Sequence, residues 1–282
     1  MEVVSHRDFP ELHPTFGHPE APERLGVLLE AFPDFVQCQP ASEQDLLRCH
    51  SAEYVEVVRS IAEPTWLDLD TVASESTYQA GLLAAGGAIE AVRRGGFALV
   101  RPPGHHALRD RAMGFCIFNN VAIAARWAQE EQGVARLAIV DFDVHHGNGT
   151  EAIFRGEGST LFVSLHQWPF WPGSGGPEDQ AETTLNVPMP AGAGDDEYRR
   201  AFERVVEPAL ARFEPELVLV SAGFDAHVDD PLADIRVSEE GFRELAGRCA
   251  AAAPRFAAVL EGGYNLDTLP RLVAAALECF ST

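Results

Sequence analysis

The sequence contains no lysine: all 21 of its basic residues are arginine. We attribute this to a GC-rich genome ahead of a salt-adapted host, and neither cause bears on chemistry. Cysteine is scarce and unpatterned, with Cys38, Cys49, Cys116, Cys249 and Cys279 scattered singly. With no C-x-x-C pair, a disulfide framework and a cysteine-rich zinc site are both excluded, and the thiols read as buried groups in a reducing compartment. Any metal site must then be built from histidine and carboxylates. No apolar stretch approaches the roughly 18–20 residues that span a bilayer. The start, MEVVSHRDFPELHP, lacks the basic and apolar regions of a signal peptide. The expectation is a soluble, cytoplasmic protein with no membrane partner. Basic charge is also short, since 43 acidic residues leave a net charge of −22. Such a surface repels a phosphate backbone, which argues against nucleic acid as a direct partner, and attracts a cationic substrate or basic protein tail.

What remains is an ordinary globular composition, 46% apolar and 9% aromatic, which excludes a disordered or fibrous chain. At 282 residues one domain or two are possible. The pattern is α/β: short apolar runs at 97–100, 137–143, 161–166, 217–221 and 256–260 predict buried strands. Helical stretches at 74–94, 118–131, 195–212, 238–252 and 266–279 are interleaved with them. Continuous apolar strands separated by helices imply a parallel sheet covered on both faces. The N-terminal quarter reads as mostly helical, most clearly at 22–31 and 51–61. The Gly/Pro-rich run 168–177 is too short for a linker and reads as a rim loop. With no repeat and no low-complexity tail, one domain over 1–282 is the economical reading.

In an open parallel sheet ligands bind at the carboxyl ends of the strands, and the polar residues gather there. The five predicted strands run into Arg101-Pro-Pro-Gly-His105-His106, Asp141-Phe-Asp143-Val-His145-His146-Gly-Asn148, Ser164-Leu165-His166, Ser221-Ala-Gly-Phe-Asp225 and Glu261-Gly-Gly-Tyr264. Six of the ten histidines (His105, His106, His145, His146, His166 and His227) fall on or near these ends. On an extended segment residues two apart point the same way, so Asp141, Asp143 and His145 project together while Phe142 and Val144 pack opposite. Asp143 and His145, with Asp225 from another strand, could grip one divalent ion such as Zn²⁺. Three protein ligands leave an open position, the catalytic arrangement. Taken singly, a D-x-H pair can be a solvated loop, His105-His106 a polar turn and Tyr264 a core tyrosine. Their coincidence at one end of one sheet favours a site.

The runs R-P-P-G-H-H-A, M-G-F-C-I-F-N-N, D-F-D-V-H-H-G-N-G-T, S-A-G-F-D-A-H and L-E-G-G-Y resemble the histone deacetylase superfamily, which includes acetylpolyamine amidohydrolases and acetoin-utilisation proteins. The likeness extends from about His18 to the C-terminus and is similar to the class II branch and its bacterial members. It implies the arginase/deacetylase α/β fold, a parallel sheet of about eight strands flanked by helices. It also implies a zinc-dependent deacetylase acting on acyl-lysine or related amides. By resemblance, Asp143, His145 and Asp225 match the zinc ligands, and His105 and His106 the tandem histidines. Asp141 then orients His105, Asn148 partners His106, and Tyr264 donates to the oxyanion. The carboxylate raises its imidazole's basicity more than the amide does, so the two histidines should differ in pKa. Phe115 and Trp171 match the aromatic walls of an acyl-lysine tunnel, with Gly114 beside them and Gly263 admitting backbone. Asp70 lies near the position that holds substrate backbone. Ser164 and Leu165, with Asp141, Asp143 and His145, match a structural monovalent-cation site usually filled by K⁺. His146, His166 and His227 read as structural. Polyamine-selective relatives can carry Glu where this chain has Leu232, which tilts away from strict polyamine specificity. A small-amide hydrolase, a long-chain deacylase and a non-catalytic zinc-bound acyl-lysine reader are the alternatives.

Overall fold

The structure, a computed structural model, describes residues 1–280. Its centre is set by three strands whose side chains are buried throughout: β6 (Leu137–Asp141), β7 (Thr160–Gln167) and β9 (Leu217–Ala222). A strand buried on both faces has no solvated side to mark with alternating polar residues, which is why these segments read as mostly apolar runs whose polar residues gather toward the carboxyl ends. Around them lie β1 (Val3–Ser5), β2 (Val36–Gln37), β5 (Phe97–Ala98), β8 (Thr184–Met189) and β10 (Phe256–Leu260). The eight form one sheet in the order β2-β1-β5-β10-β9-β6-β7-β8. Every neighbouring pair is parallel. A separate antiparallel hairpin joins β3 (Thr65–Trp66) to β4 (Val72–Ala73).

The helices are α1 (Glu23–Ala31), α2 (Glu43–Leu47), α3 (Ala52–Arg59), α4 (Thr77–Arg94), α5 (Asn120–Gln132) and α6 (Asn148–Phe154), then α7 (Asp195–Ala201), α8 (Glu207–Phe213), α9 (Glu239–Ala250) and α10 (Leu269–Phe280). Helix α4 packs on α5 and β10, and α9 packs on α10. Local chemistry sets their ends. Asn119 caps α5 by accepting from Ala122 N. Helix α4 stops at Gly95, whose φ of 63° is cheap without a Cβ and lets its N–H close on Ala91 O.

Three expectations differ from the structure. The N-terminal quarter is not mainly helical: it supplies β1 and β2 to the sheet edge and contains the β3–β4 hairpin. Strands of two or three residues are too short to show a period. Strand β8 carries no clear strand signal in the sequence because Asn186 and Pro188 interrupt its apolar run; proline is tolerated there because β8 is an edge strand. The helix expected over 195–212 contains one π turn, Phe202–Val206, between α7 and α8. Pro208 cannot donate to the carbonyl four residues back, and the ladder shifts register just before it, with Glu207 N meeting Phe202 O.

Candidate active site

The order β5-β10-β9-β6 makes the carboxyl ends of four sequence-distant strands adjacent. The segments that follow them carry His105–His106, Glu261–Tyr264, Asp225 and Asp143–His145, and the sheet alone brings them together. Beyond the last paired residue, Asp141, the chain keeps its alternation: Phe142 and Val144 are fully buried in the core, while Asp143 turns toward Asp225.

Asp143 and Asp225 converge on one imidazole nitrogen. His145 Nδ1 lies 3.1 Å from Asp143 Oδ1 and 3.1 Å from Asp225 Oδ2. The second oxygens are held by backbone, Asp143 Oδ2 accepting from Gly262 N (2.8 Å) and Asp225 Oδ1 from Val144 N (2.9 Å). Gly262 is required here, because a Cβ would stand 2.2 Å from Asp225 Oδ2 and 2.6 Å from Asp143 Oδ2. Ligand-capable atoms of Asp143, His145 and Asp225 all lie within 4.8 Å of one another. Two dry carboxylates facing one imidazole leave negative charge without a full counter-charge, a costly arrangement unless a cation joins it. The donor set, two carboxylates and a nitrogen without thiolate, fits a divalent ion such as Zn²⁺. Burial works against ionisation of Asp143, but His105 and His145 hold its carboxyl far below the usual range.

The tandem histidines stand beside this cluster with ring centroids 3.9 Å apart. His105 Nδ1 donates to Asp141 Oδ2 (2.9 Å), and its Nε2 is 3.7 Å from Asp143 Oδ1. Burial lowers its pKa, but the Asp143 and Asp141 carboxylates outweigh that and hold it at about 10. His106 Nδ1 faces Asn148 Oδ1 at 2.7 Å, an atom that can only accept, so the proton sits on Nδ1 and Nε2 keeps its lone pair. Burial, then the neighbouring His105 and His145, push His106 well below its ordinary value. One imidazole is thus charged and its neighbour neutral. Glu261, fully buried, accepts from the backbone N–H groups of Gly104 (2.7 Å) and His105 (3.1 Å), and burial raises it to about 7. It anchors the histidine segment, a role its place in the L-E-G-G-Y run did not disclose.

A cleft of 210 Å³ opens onto these groups, and the residues lining it include Asp70, His106, Phe115, His145, Trp171 and Tyr264. Gly114 and Leu232 line it too. Gly114 has φ 56°, and a Cβ there would meet Trp171 at 2.4 Å and His106 at 2.6 Å. Tyr264 is placed by Arg24 over its ring (4.9 Å) and by Phe115 edge-on (5.8 Å). Gly263 is not among the lining residues; its carbonyl is turned to Arg24 Nε (2.7 Å), with φ 121°. Ser164 and Leu165 lie below the cleft in β7, Ser164 paired in register with Asp141 and bonded to His166 Nδ1 (2.9 Å). His146 bridges Ser174 and Glu151, and His227 Nδ1 accepts from Asp229 N, so neither is at the cleft. Phe170, absent from the sequence reading, stacks on His145 at 5.5 Å; its one signal was an aromatic residue in a Gly/Pro-rich loop.

Comparison with known proteins bears on what this arrangement belongs to. A family model described as "Histone deacetylase domain" matches residues 18–280. The "Histone deacetylase-like amidohydrolase" of Pseudomonas aeruginosa is 41% identical over 93% of this chain and 76% of its own. The mouse "Polyamine deacetylase HDAC10" is 38% identical over 92% of this chain and 44% of its own. Among solved structures, the HDA15 HD domain superposes with a TM-score of 0.94 at 34% identity, covering 99% of this chain and 89% of that one. An eight-stranded parallel sheet with this site at its carboxyl edge, and likeness over nearly the whole length, agree: the chain belongs to the histone deacetylase family.

Proposed function

We propose that the chain is a metal-dependent deacylase that hydrolyses acetyl or acyl amides of lysine side chains or related amines. What carries the reading is the meeting at one cleft of His106, Tyr264 and His145, with the buried Asp143 and Asp225 carboxylates gathered behind His145. Asp143, His145 and Asp225 would hold a Zn²⁺ ion, which would supply Lewis acidity toward an acyl carbonyl and lower the pKa of water toward roughly 7. A K⁺ ion belongs, on the same reading, at Asp141, Asp143, His145, Ser164 and Leu165.

The protein's own groups do the rest. His106 Nε2 takes the proton of the attacking water as a C–O bond forms at the acyl carbon. It returns that proton to the nitrogen as the C–N bond breaks, releasing a carboxylate and an amine. His105, oriented through Nδ1 by Asp141, stands beside His106 at the developing anion, and the Tyr264 hydroxyl donates to that anion. Phe115 and Trp171 exclude water around the chain that carries the acyl group, and Asp70 at the cleft offers an acceptor for the substrate backbone. The acidic surface draws in a cationic substrate.

A second reading, acetylpolyamine hydrolysis, is favoured by likeness to the mouse polyamine deacetylase. Leu232 at the cleft weighs against it, because it offers no counter-charge to a distant ammonium. The test is amine release by the zinc-loaded protein from an acetyl-lysine peptide, acetylputrescine and acetylspermidine, side by side. Peptide turnover lost in His106→Ala supports the first reading, and turnover confined to polyamines the second. Zinc binding with silence on all three points to a longer acyl chain or a non-catalytic reader.

A further inference from the structure

The three most exposed large apolar side chains among the described residues are Leu69 (fully exposed), Phe16 (76%) and Trp66 (61%). They lie on two segments flanking the candidate active-site mouth: the loop before α1 and the β3–β4 hairpin. His18 ties these together, accepting from Glu20 N on Nδ1 (3.1 Å), which leaves its Nε2–H to donate to Asp70 O (3.0 Å). The same ring stands edge-on to the cleft wall Phe115 at 4.3 Å. His18 also lines a cleft of 290 Å³ whose walls include Phe16, Trp66, Pro19, Pro64 and Val72.

None of the residues lining this cleft carries a carboxylate or a guanidinium. That is unusual in a chain with a net charge of −22. The surface clefts beside Arg243, Arg93 and Arg48 each carry charges of both signs. Phe16 is also held at φ 45°, a conformation that costs a non-glycine residue energy and turns its ring to solvent instead of core. The cleft is preformed: Asp68 Oδ1 accepts from Asp70 N and Thr71 N to fix the hairpin turn, and His13 N donates to Ser76 Oγ to fix the loop. Exposed apolar surface that is held rigid and contiguous with a reaction cleft marks a recognition site.

We propose that this cleft is a subsite for an uncharged apolar side chain, aromatic or large aliphatic, flanking the acyl-lysine of a peptide substrate. The inference rests on the deacylase reading and narrows it to a polypeptide substrate, because a polyamine has no apolar branch to place between Phe16 and Trp66.

The test uses zinc-loaded protein and fluorescent, charge-neutral pentapeptides centred on acetyl-lysine. The flanks are all glycine, or carry one Phe walked from two residues before the acetyl-lysine to two after it. Burying one Phe predicts binding roughly 10- to 100-fold tighter for at least one position by fluorescence anisotropy. That preference should collapse in Trp66→Ser and Phe16→Ser, whose side chains are mostly exposed, with circular dichroism checking the fold. Equal affinity for glycine and Phe peptides, or a preference intact in both variants, would overturn the subsite. A wild-type dimer that Trp66→Ser dissolves, without any Phe preference, would assign the patch to a second copy of the chain and overturn it too. Phe-selective binding without amine release, from these peptides and from their longer-chain acyl-lysine counterparts, keeps the subsite and sinks the deacylase reading, whereas amine release without Phe preference does the reverse.

Discussion

Replacing Glu20 by glutamine removes the anion from a fully buried ion cluster with Arg24 and Arg101. Glu20 is fully buried, and its Oε1 accepts from Arg101 Nε (3.0 Å) and Arg24 Nη1 (3.3 Å), its Oε2 from Arg101 Nη2 (2.9 Å). Both arginines are also fully buried. Arg101 further donates to Leu12 O and His13 O, and Arg24 to Glu261 O and Gly263 O, so the cluster ties the loop before α1 to the segment that carries Tyr264. Burial raises the Glu20 carboxyl, but Arg101 and then Arg24 outweigh it and bring it down from 4.5 to about 2. At 1.36 kcal/mol per pKa unit that shift is worth roughly 3 kcal/mol. Breaking a buried pair by removing one partner costs about 3–5 kcal/mol, in agreement. We expect Glu20→Gln to lose about 3 kcal/mol by urea unfolding at pH 7, with Tm lower by roughly 6–12 °C. A depressed carboxyl stabilises above its unfolded pKa, and that stability is lost as pH falls through the folded value. The wild type should therefore shed this increment between about pH 4.5 and 2, and the variant should not. A loss under about 1 kcal/mol at pH 7, or acid limbs of equal steepness, would refute the reasoning.

Tyr264→Phe keeps the ring that Arg24 and Phe115 hold and deletes only the hydroxyl. Amine release should fall about 10²- to 10³-fold with zinc content unchanged, and undiminished turnover would remove Tyr264 from the mechanism. Asp225→Asn withdraws one of two carboxylates from the cluster, so elemental analysis after dialysis should find less than about a tenth of wild-type zinc. Gly262→Ala drives a methyl to within 2.2 Å of Asp225 Oδ2, and the same measurement should show impaired zinc retention although no ligand has changed.

Much of this protein was legible in one dimension. The five strands read from the sequence are present, because a strand covered on both faces is mostly apolar and lacks the polar alternation of a solvated face. The polar residues at their carboxyl ends stood out for the same reason, as abrupt departures from those runs. Alternation sends Phe142 and Val144 to the core, where they are fully buried, and Asp143 to the opposite side, where it meets His145. Strands β1, β2 and β8 were not visible, since two or three residues carry no period and Pro188 breaks the pattern of β8. The stacking of Phe170 on His145, the anchoring of the histidine segment by Glu261 and the pairing of Glu20 with Arg24 and Arg101 carry no such local signal. Nothing in a sequence tells a charged side chain that faces water from one buried between strands distant along the chain.

The sequence by itself determined which residue types the site is built from, because each sits beside its own strand and local pattern is enough to place it there. Only the tertiary structure decided that they share one cleft, since that depends on β10 and β9 being inserted between β5 and β6. Strand order is a long-range property: no local propensity encodes it, and it follows from how the helices cover both faces of the sheet. The exposed patch at the mouth was decided the same way, because Phe16, Trp66 and Leu69 are ordinary apolar residues until the fold leaves them outside the core.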